Sequence, residues 1–123
     1  MTRIPADRQP DVPSVPHFDL PDNHVLVDVR NQDEWDRGHA PDAVHLPLGS
    51  LEDRLTELPA GRPVVVTCRG GGRASRAVTF LRAEGFDAVN LDGGMLEWHR
   101  QNRPLQHDLS LIHISEPTRR TPI

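Results

Sequence analysis

Val64-Val65-Val66-Thr67-Cys68-Arg69-Gly70-Gly71-Gly72-Arg73 is the stretch that decides the fold. Three consecutive valines and a threonine leave no polar face, which predicts a short strand buried on both sides, as in a parallel sheet. Cys68 then stands at the carboxyl end of that strand. Three glycines follow, and after them Ala74, Ala77, Val78 and Leu81 recur on one face of a helix predicted to run to Glu84, with Gly85 past its end. A buried strand, a glycine turn and an amphipathic helix form half of a parallel crossover unit.

Working outward, the same grammar repeats. Val25-Leu26-Val27-Asp28-Val29 is a second apolar run with one acid near its end. Asn31 can cap a short helix through Glu34, Trp35 and Arg37, which Gly38 stops. Ala43 to Leu46 predicts another strand. Ser50 to Leu58 predicts an α-helix, with Asp53 completing a weaker capping box and Leu48, Leu51, Leu55 and Leu58 along one stripe. Ala88 to Leu91 is a later strand, Asp92-Gly93-Gly94 a turn, and Met95 to Gln101 a last helix. Val12 to Val15, between prolines, reads as an edge strand. Only a short segment with Pro16 and Pro21 separates it from Val25, so any helix there is reduced to a turn. Alternating strands and helices place the chain in the α/β class, with a mainly parallel five-stranded sheet covered by helices on both faces.

The 123 residues fit one domain. Residues 1–11 read as a disordered lead, 12–104 as the domain, and 105–123 as a tail. Three of the chain's four isoleucines, Ile112, Ile114 and Ile123, fall in that tail. Residues 109–119 also resemble the peptide obtained when a sequencing adapter is translated, so the tail is expected to be foreign to the natural protein. A net charge of −4 argues against a nucleic-acid or membrane-surface binder. All fourteen basic residues are arginines, which excludes Schiff-base chemistry and the lysine of a nucleotide P-loop. One cysteine precludes an internal disulfide and fits a reducing compartment. With no apolar leader and no run near the roughly 18 apolar residues of a membrane span, a cytoplasmic protein is expected.

A lone cysteine is usually a small buried hydrophobe. The position of Cys68 argues otherwise. In open parallel sheets, ligands bind at the carboxyl ends of the strands. Glycines let the backbone curl so that successive N–H groups point inward, and such a ring at a helix N-terminus favours a thiolate or an oxyanion. Arg69 and Arg73 add positive charge. The seven histidines show no metal-ligand spacing, and the glycine triplet lacks a dinucleotide fingerprint. Neither metal nor cofactor is expected.

The stretch Cys68-Arg-Gly-Gly-Gly-Arg-Ala-Ser75 resembles the active-site loop of the rhodanese family. Val25 to Arg30, Glu34-Trp35 and Gly38 to Pro47 resemble the family's first block; Gly85-Phe86 and Val89 to Trp98 resemble its closing block. The resemblance covers about residues 12–104 in order. It implies a sulfurtransferase in which Cys68 takes the outer sulfur of a thiosulfate-like or persulfide donor and becomes a persulfide. The amides of Arg69, Gly70, Gly71, Gly72 and Arg73 would cradle that sulfur, and the two arginines would attract the anionic donor. Cyanide, a thiol or a protein sulfur acceptor would then remove it by ping-pong transfer. Asp28 and Arg30 read as a structural ion pair and His39 as a hydrogen-bonded loop residue. Trp35 and Trp98 read as packing residues.

Two alternatives stand beside this. A cysteine-dependent phosphatase or arsenate reductase also sets a cysteine before an arginine, but the phosphatases of this fold carry a loop one residue longer than the four residues, Arg69 to Gly72, found here. A non-catalytic regulatory module would usually lose the cysteine.

Overall fold

The computed structural model of the protein describes residues 12–106. The expected lead over residues 1–11, and residues 107–123 of the expected tail, lie outside them. Five strands form one sheet: β1 (Ser14–Val15), β2 (Val25–Asp28), β3 (Val44–His45), β4 (Val64–Thr67) and β5 (Ala88–Leu91). Their spatial order is β1-β5-β4-β2-β3, and every pairing is parallel. Among the described residues three α-helices accompany them, α1 (Gln32–Arg37), α2 (Gly72–Ala83) and, after the last strand, α3 (Gly94–Arg100). Residues 16–24 carry turns and no helix. Among the described residues, no helix is long and apolar enough to cross a membrane.

The valine runs alternate between the two faces of the sheet. Val25, Val27, Val29, Val64 and Val66 join Ala74, Ala77, Val78 and Leu81 of α2 in one core. Leu26 and Val65 point the other way, into a smaller core with Leu91 and with Met95 and Trp98 of α3. Burial on both faces is why these strands show no polar alternation in the sequence.

Between Leu48 and Glu57 the chain departs from the expected α-helix. It forms two 3-10 helices, Leu48–Ser50 and Glu52–Glu57, with a kink at Arg54 (φ −116°, ψ 19°). Ser50 sits inside the first of these, donating its amide to the Pro47 carbonyl at 2.8 Å, rather than capping a longer helix. Leu48 and Leu51, then Leu55 and Leu58, are spaced by three residues, and all four pack on the first core. A segment this short takes its geometry from the surface it covers, and three residues per turn sets such pairs above one another.

The strand order fixes where a site can lie. From β2 the chain moves outward to β3, and from β4 it moves to β5 on the opposite side. The connections therefore diverge at the carboxyl ends of β2 and β4, which opens a crevice between them.

Gly94 holds the neighbouring helix against that crevice. Its φ is +56°, and a Cβ there would land on the carbonyl oxygens of Cys68 and Arg69. Gly94→Ala is expected to lower stability by about 2 kcal/mol or more, through left-handed backbone strain and a clash with main chain that cannot rotate away. Gly49→Ala, where nothing lies within 4 Å of the added carbon, is expected to shift it by less than about 0.5 kcal/mol. Urea melts of both variants read this directly; equal effects would show that the approach of α3 to the loop does not constrain the fold.

Candidate active site

Cys68 follows β4 directly and is buried, at 1% relative exposure. Its Sγ accepts the backbone N–H of Gly71 at 3.0 Å and that of Ala74 at 3.3 Å. Gly71 has φ +125°, a conformation closed to side-chain-bearing residues, and it is this turn that swings its amide back onto the sulfur. Ala74 supplies a first-turn amide of α2, one of the donors a helix N-terminus leaves unpaired. The loop carbonyls face the opposite way. Met95 N–H donates to the Cys68 carbonyl at 2.8 Å, and Leu96 N–H to the Arg69 carbonyl at 3.0 Å. Two helix N-termini thus grip the loop: α2 faces the sulfur with donors, and α3 takes up carbonyls that would otherwise oppose a negative charge.

The residues singled out in the sequence fall into two groups. Asp28, Arg30 and His39 gather at the end of β2. Arg30 Nε and Nη2 clasp the Asp28 carboxylate at 2.8 to 3.0 Å, and Nη2 also donates to the Gly38 carbonyl at 2.8 Å. This buried, bidentate pair ties the end of β2 to the end of α1. His39 is buried and stacks flat on Trp35, with ring centroids 3.5 Å apart, while His45 lies near the same indole at 4.5 Å. His39 also exchanges backbone hydrogen bonds with Gln106. Leu105 packs on the smaller core, so the described chain stays against the domain through Gln106.

In the loop, Arg69 and Gly70 are exposed, whereas Gly71, Gly72 and Arg73 are half-buried. Arg73 does not point freely outward. Both of its terminal nitrogens bind Glu34 of α1, at 2.6 and 3.0 Å. The paired Arg73 guanidinium holds the Glu34 carboxyl down at about 2, with help from the Asn31 amide against the opposing effect of burial. Glu34 in turn raises Arg73 above its ordinary value. Glu34 also completes a capping box with Asn31. Sequence reasoning placed Glu34 within a helix and a family block but missed its pairing across 39 residues. The Ala74 amide was missed too, because backbone donors leave no mark in residue identity.

Beside the loop opens a cleft of about 410 Å³, bordered by α1, Arg69 and α3. Arg30, Glu34 and Gly38 line its side toward β2; Met95 and Leu96 line its side toward α3.

The Glu34–Arg73 pair fixes α1 against the loop, so Glu34→Gln is expected to cost about 1 to 2 kcal/mol at pH 7. Glu34 is held at about 2, below its ordinary value of 4.5, so this stability is full above about pH 4.5 and is lost as the pH falls toward 2. Urea melts across that window are expected to show the gap between the two proteins shrinking in acid; a gap as large at pH 2.5 as at pH 7 would assign the cost to something other than the carboxylate charge.

Comparison with known proteins agrees with this geometry. A family model described as a rhodanese-like domain matches residues 17–101. A protein named sulfurtransferase from Allochromatium vinosum is 39% identical over 82 residues, covering 66% of this chain and 77% of that protein. An HTH-type transcriptional regulator of Mycobacterium tuberculosis is 40% identical over 91 residues, 72% of this chain; the chain spans only 40% of the regulator's length. Among solved structures, a rhodanese-related protein from Thermoplasma volcanium superposes with a TM-score of 0.71 at 27% identity, covering 76% of this chain and 97% of that one. With a family model spanning most of its described length and a fold to match, the chain belongs to the rhodanese-like domain family.

Proposed function

We propose that this domain is a rhodanese-type sulfurtransferase that carries sulfur as a persulfide on Cys68. The observation that carries the reading is the pair of amides, Gly71 and Ala74, aimed at Sγ from a helix N-terminus. Donors so placed favour sulfur in its anionic, nucleophilic form. Relatives named sulfurtransferase support the same chemistry.

In the first half-reaction the Cys68 thiolate attacks the outer sulfur of thiosulfate. An S–S bond forms, the bond within thiosulfate breaks, and sulfite leaves with the electron pair. In the second, cyanide or a thiolate attacks the outer sulfur of the persulfide and Cys68 leaves as thiolate. Each step is a displacement at sulfur, so no base beyond the polarised loop is required. Asp28 and Arg30 act as scaffold, and so does His39. Arg69, the exposed cation of the loop, draws the anionic donor, while Arg73, already paired with Glu34, contributes field rather than direct contact. The chemistry suits a reducing cytoplasm, where thiol acceptors abound.

The spacing of four residues between Cys68 and Arg73 opposes the phosphatase alternative. A phosphoryl group needs a wider ring whose donors meet each of its oxygens, and displacement of about 1 Å can cost a hundredfold in rate. The tie between Arg73 and Glu34 further limits its availability to an oxyanion. A regulatory reading draws on the transcriptional regulator to which the chain is similar.

Thiosulfate is expected to add one sulfur to Cys68 by mass spectrometry and, with cyanide, to yield thiocyanate. Cys68→Ser is expected to abolish both while the melting temperature holds within a few degrees. Hydrolysis of p-nitrophenyl phosphate should stay at background. Turnover in the serine variant would overturn covalent catalysis at Cys68; a persulfide that forms once and never turns over would favour the regulatory reading.

A further inference from the structure

The Cys68 loop carries two arginines, and the fold handles them differently. Arg69 is exposed. Arg73 is the second residue of α2 and stands between Gly71 and Ala74, whose amides meet Sγ. Its backbone thus belongs to the ring around the sulfur. A guanidinium rooted there is well placed to fork onto two oxygens of an anion beside that sulfur. Arg73 is raised above its ordinary value chiefly by its bond to Glu34 and to a smaller degree by the charge of Cys68, so guanidinium and sulfur lie within each other's field. Yet the fork is turned onto α1 instead. Nη1 and Nη2 donate to the two carboxylate oxygens of Glu34 at 2.6 and 3.0 Å, in a pair whose side chains are only 27% and 17% exposed. Arg30, on the border of the neighbouring cleft, is likewise engaged by Asp28. Of these three arginines, Arg69 alone has no carboxylate partner among the described residues.

Resting on the sulfurtransferase reading above, we propose that Glu34 is a positioning residue that sets specificity through Arg73, by keeping the Cys68 loop from gripping tetrahedral oxyanions. With Arg73 engaged, thiosulfate is met by Arg69 and the loop amides alone, and it is held loosely. Sulfate and phosphate share its tetrahedral shape and negative charge but carry no transferable sulfur. The same device refuses them, so they do not block the loop. Transfer itself needs only the outer sulfur of the donor at Sγ, where the Gly71 and Ala74 amides already stand. Glu34 lies on α1, outside the loop, and touches none of the reacting atoms. Its effect on anions and its effect on stability have opposite signs. A pair that merely anchored α1 would, when broken, leave a looser loop that binds anions less well. A pair that withholds Arg73 would, when broken, release a cation beside the sulfur and tighten their binding.

The test titrates sodium sulfate and inorganic phosphate by calorimetry into the unmodified protein, Glu34→Gln and Glu34→Gln/Arg73→Gln, at one ionic strength set with sodium chloride. In Glu34→Gln the sulfate dissociation constant is expected to fall about tenfold, the size of one charge-assisted hydrogen bond gained. The gain is expected to vanish in the double variant, which separates release of Arg73 from simple removal of a negative charge. With thiosulfate and cyanide, the KM for thiosulfate is expected to fall in parallel, and sulfate to compete more strongly. Should the glutamine variant fail to fold, Glu34→Asp, one methylene shorter, is expected to show a gain of about threefold. Sulfate binding that is unchanged or weaker in the folded variant, or a gain that survives in the double variant, would overturn the role of Glu34 while leaving sulfur transfer standing. The calorimetry needs no turnover, so the two readings fail separately. If the unmodified protein forms no thiocyanate, the sulfurtransferase reading falls and the specificity assigned to Glu34 falls with it.

Discussion

The carbonyl oxygens of Cys68 and Arg69 end on the first-turn amides of α3, and much of the site depends on that contact. A loop that turns its amides inward must turn its carbonyls outward, and buried carbonyls need donors. Gly94 lets α3 come close enough to supply them. The last helix therefore supports the Cys68 loop although it contributes no donor to the sulfur. It also brings Leu96 and His99 to the border of the cleft. One backbone contact thus links the closing segment of the domain both to the shape of the loop and to what can approach it.

The strand order supplies the other half. Placing β4 beside β2, with their onward connections diverging, puts the sulfur and the Asp28–Arg30 clasp at one sheet edge. The clasp is buried and fully hydrogen-bonded, which is the condition under which an interior ion pair is tolerated. Together with Glu34–Arg73 it fixes both ends of α1, a helix with no buried residues of its own. So short and exposed a helix would not persist alone. It is held by two arginines, one from each side of the crevice, and by the stack of Trp35 on His39 and His45.

Much of this was legible in the sequence for physical reasons. Strands buried on both faces announce themselves as valine runs, and β2 and β4 appeared where expected. A cysteine followed by glycines at the end of such a run has few readings. The turn at Asp92-Gly93-Gly94 was visible, but its purpose was not, because the need for Gly94 comes from carbonyls 25 residues away in the chain. The Leu48 to Leu58 stripe was read as an α-helix since leucines spaced by three and four satisfy either helical period, and only the surface beneath them chooses between the two. The partnership of Glu34 with Arg73 could not be extracted from spacing at all. Ion pairs across a fold depend on which loops the topology brings together.

The stack of Trp35 on two imidazoles gives the molecule an optical character of its own. The chain contains no tyrosine and only two indoles. One lies face to face with His39 beside the crevice; the other, Trp98, sits beneath the Arg103 guanidinium on the smaller core, 3.9 Å from it. Each indole therefore sits in a distinct electrical setting. Ultraviolet fluorescence of this domain is expected to divide into two local signals, one from the histidine stack on α1 and one from the packing layer on the other face of the sheet.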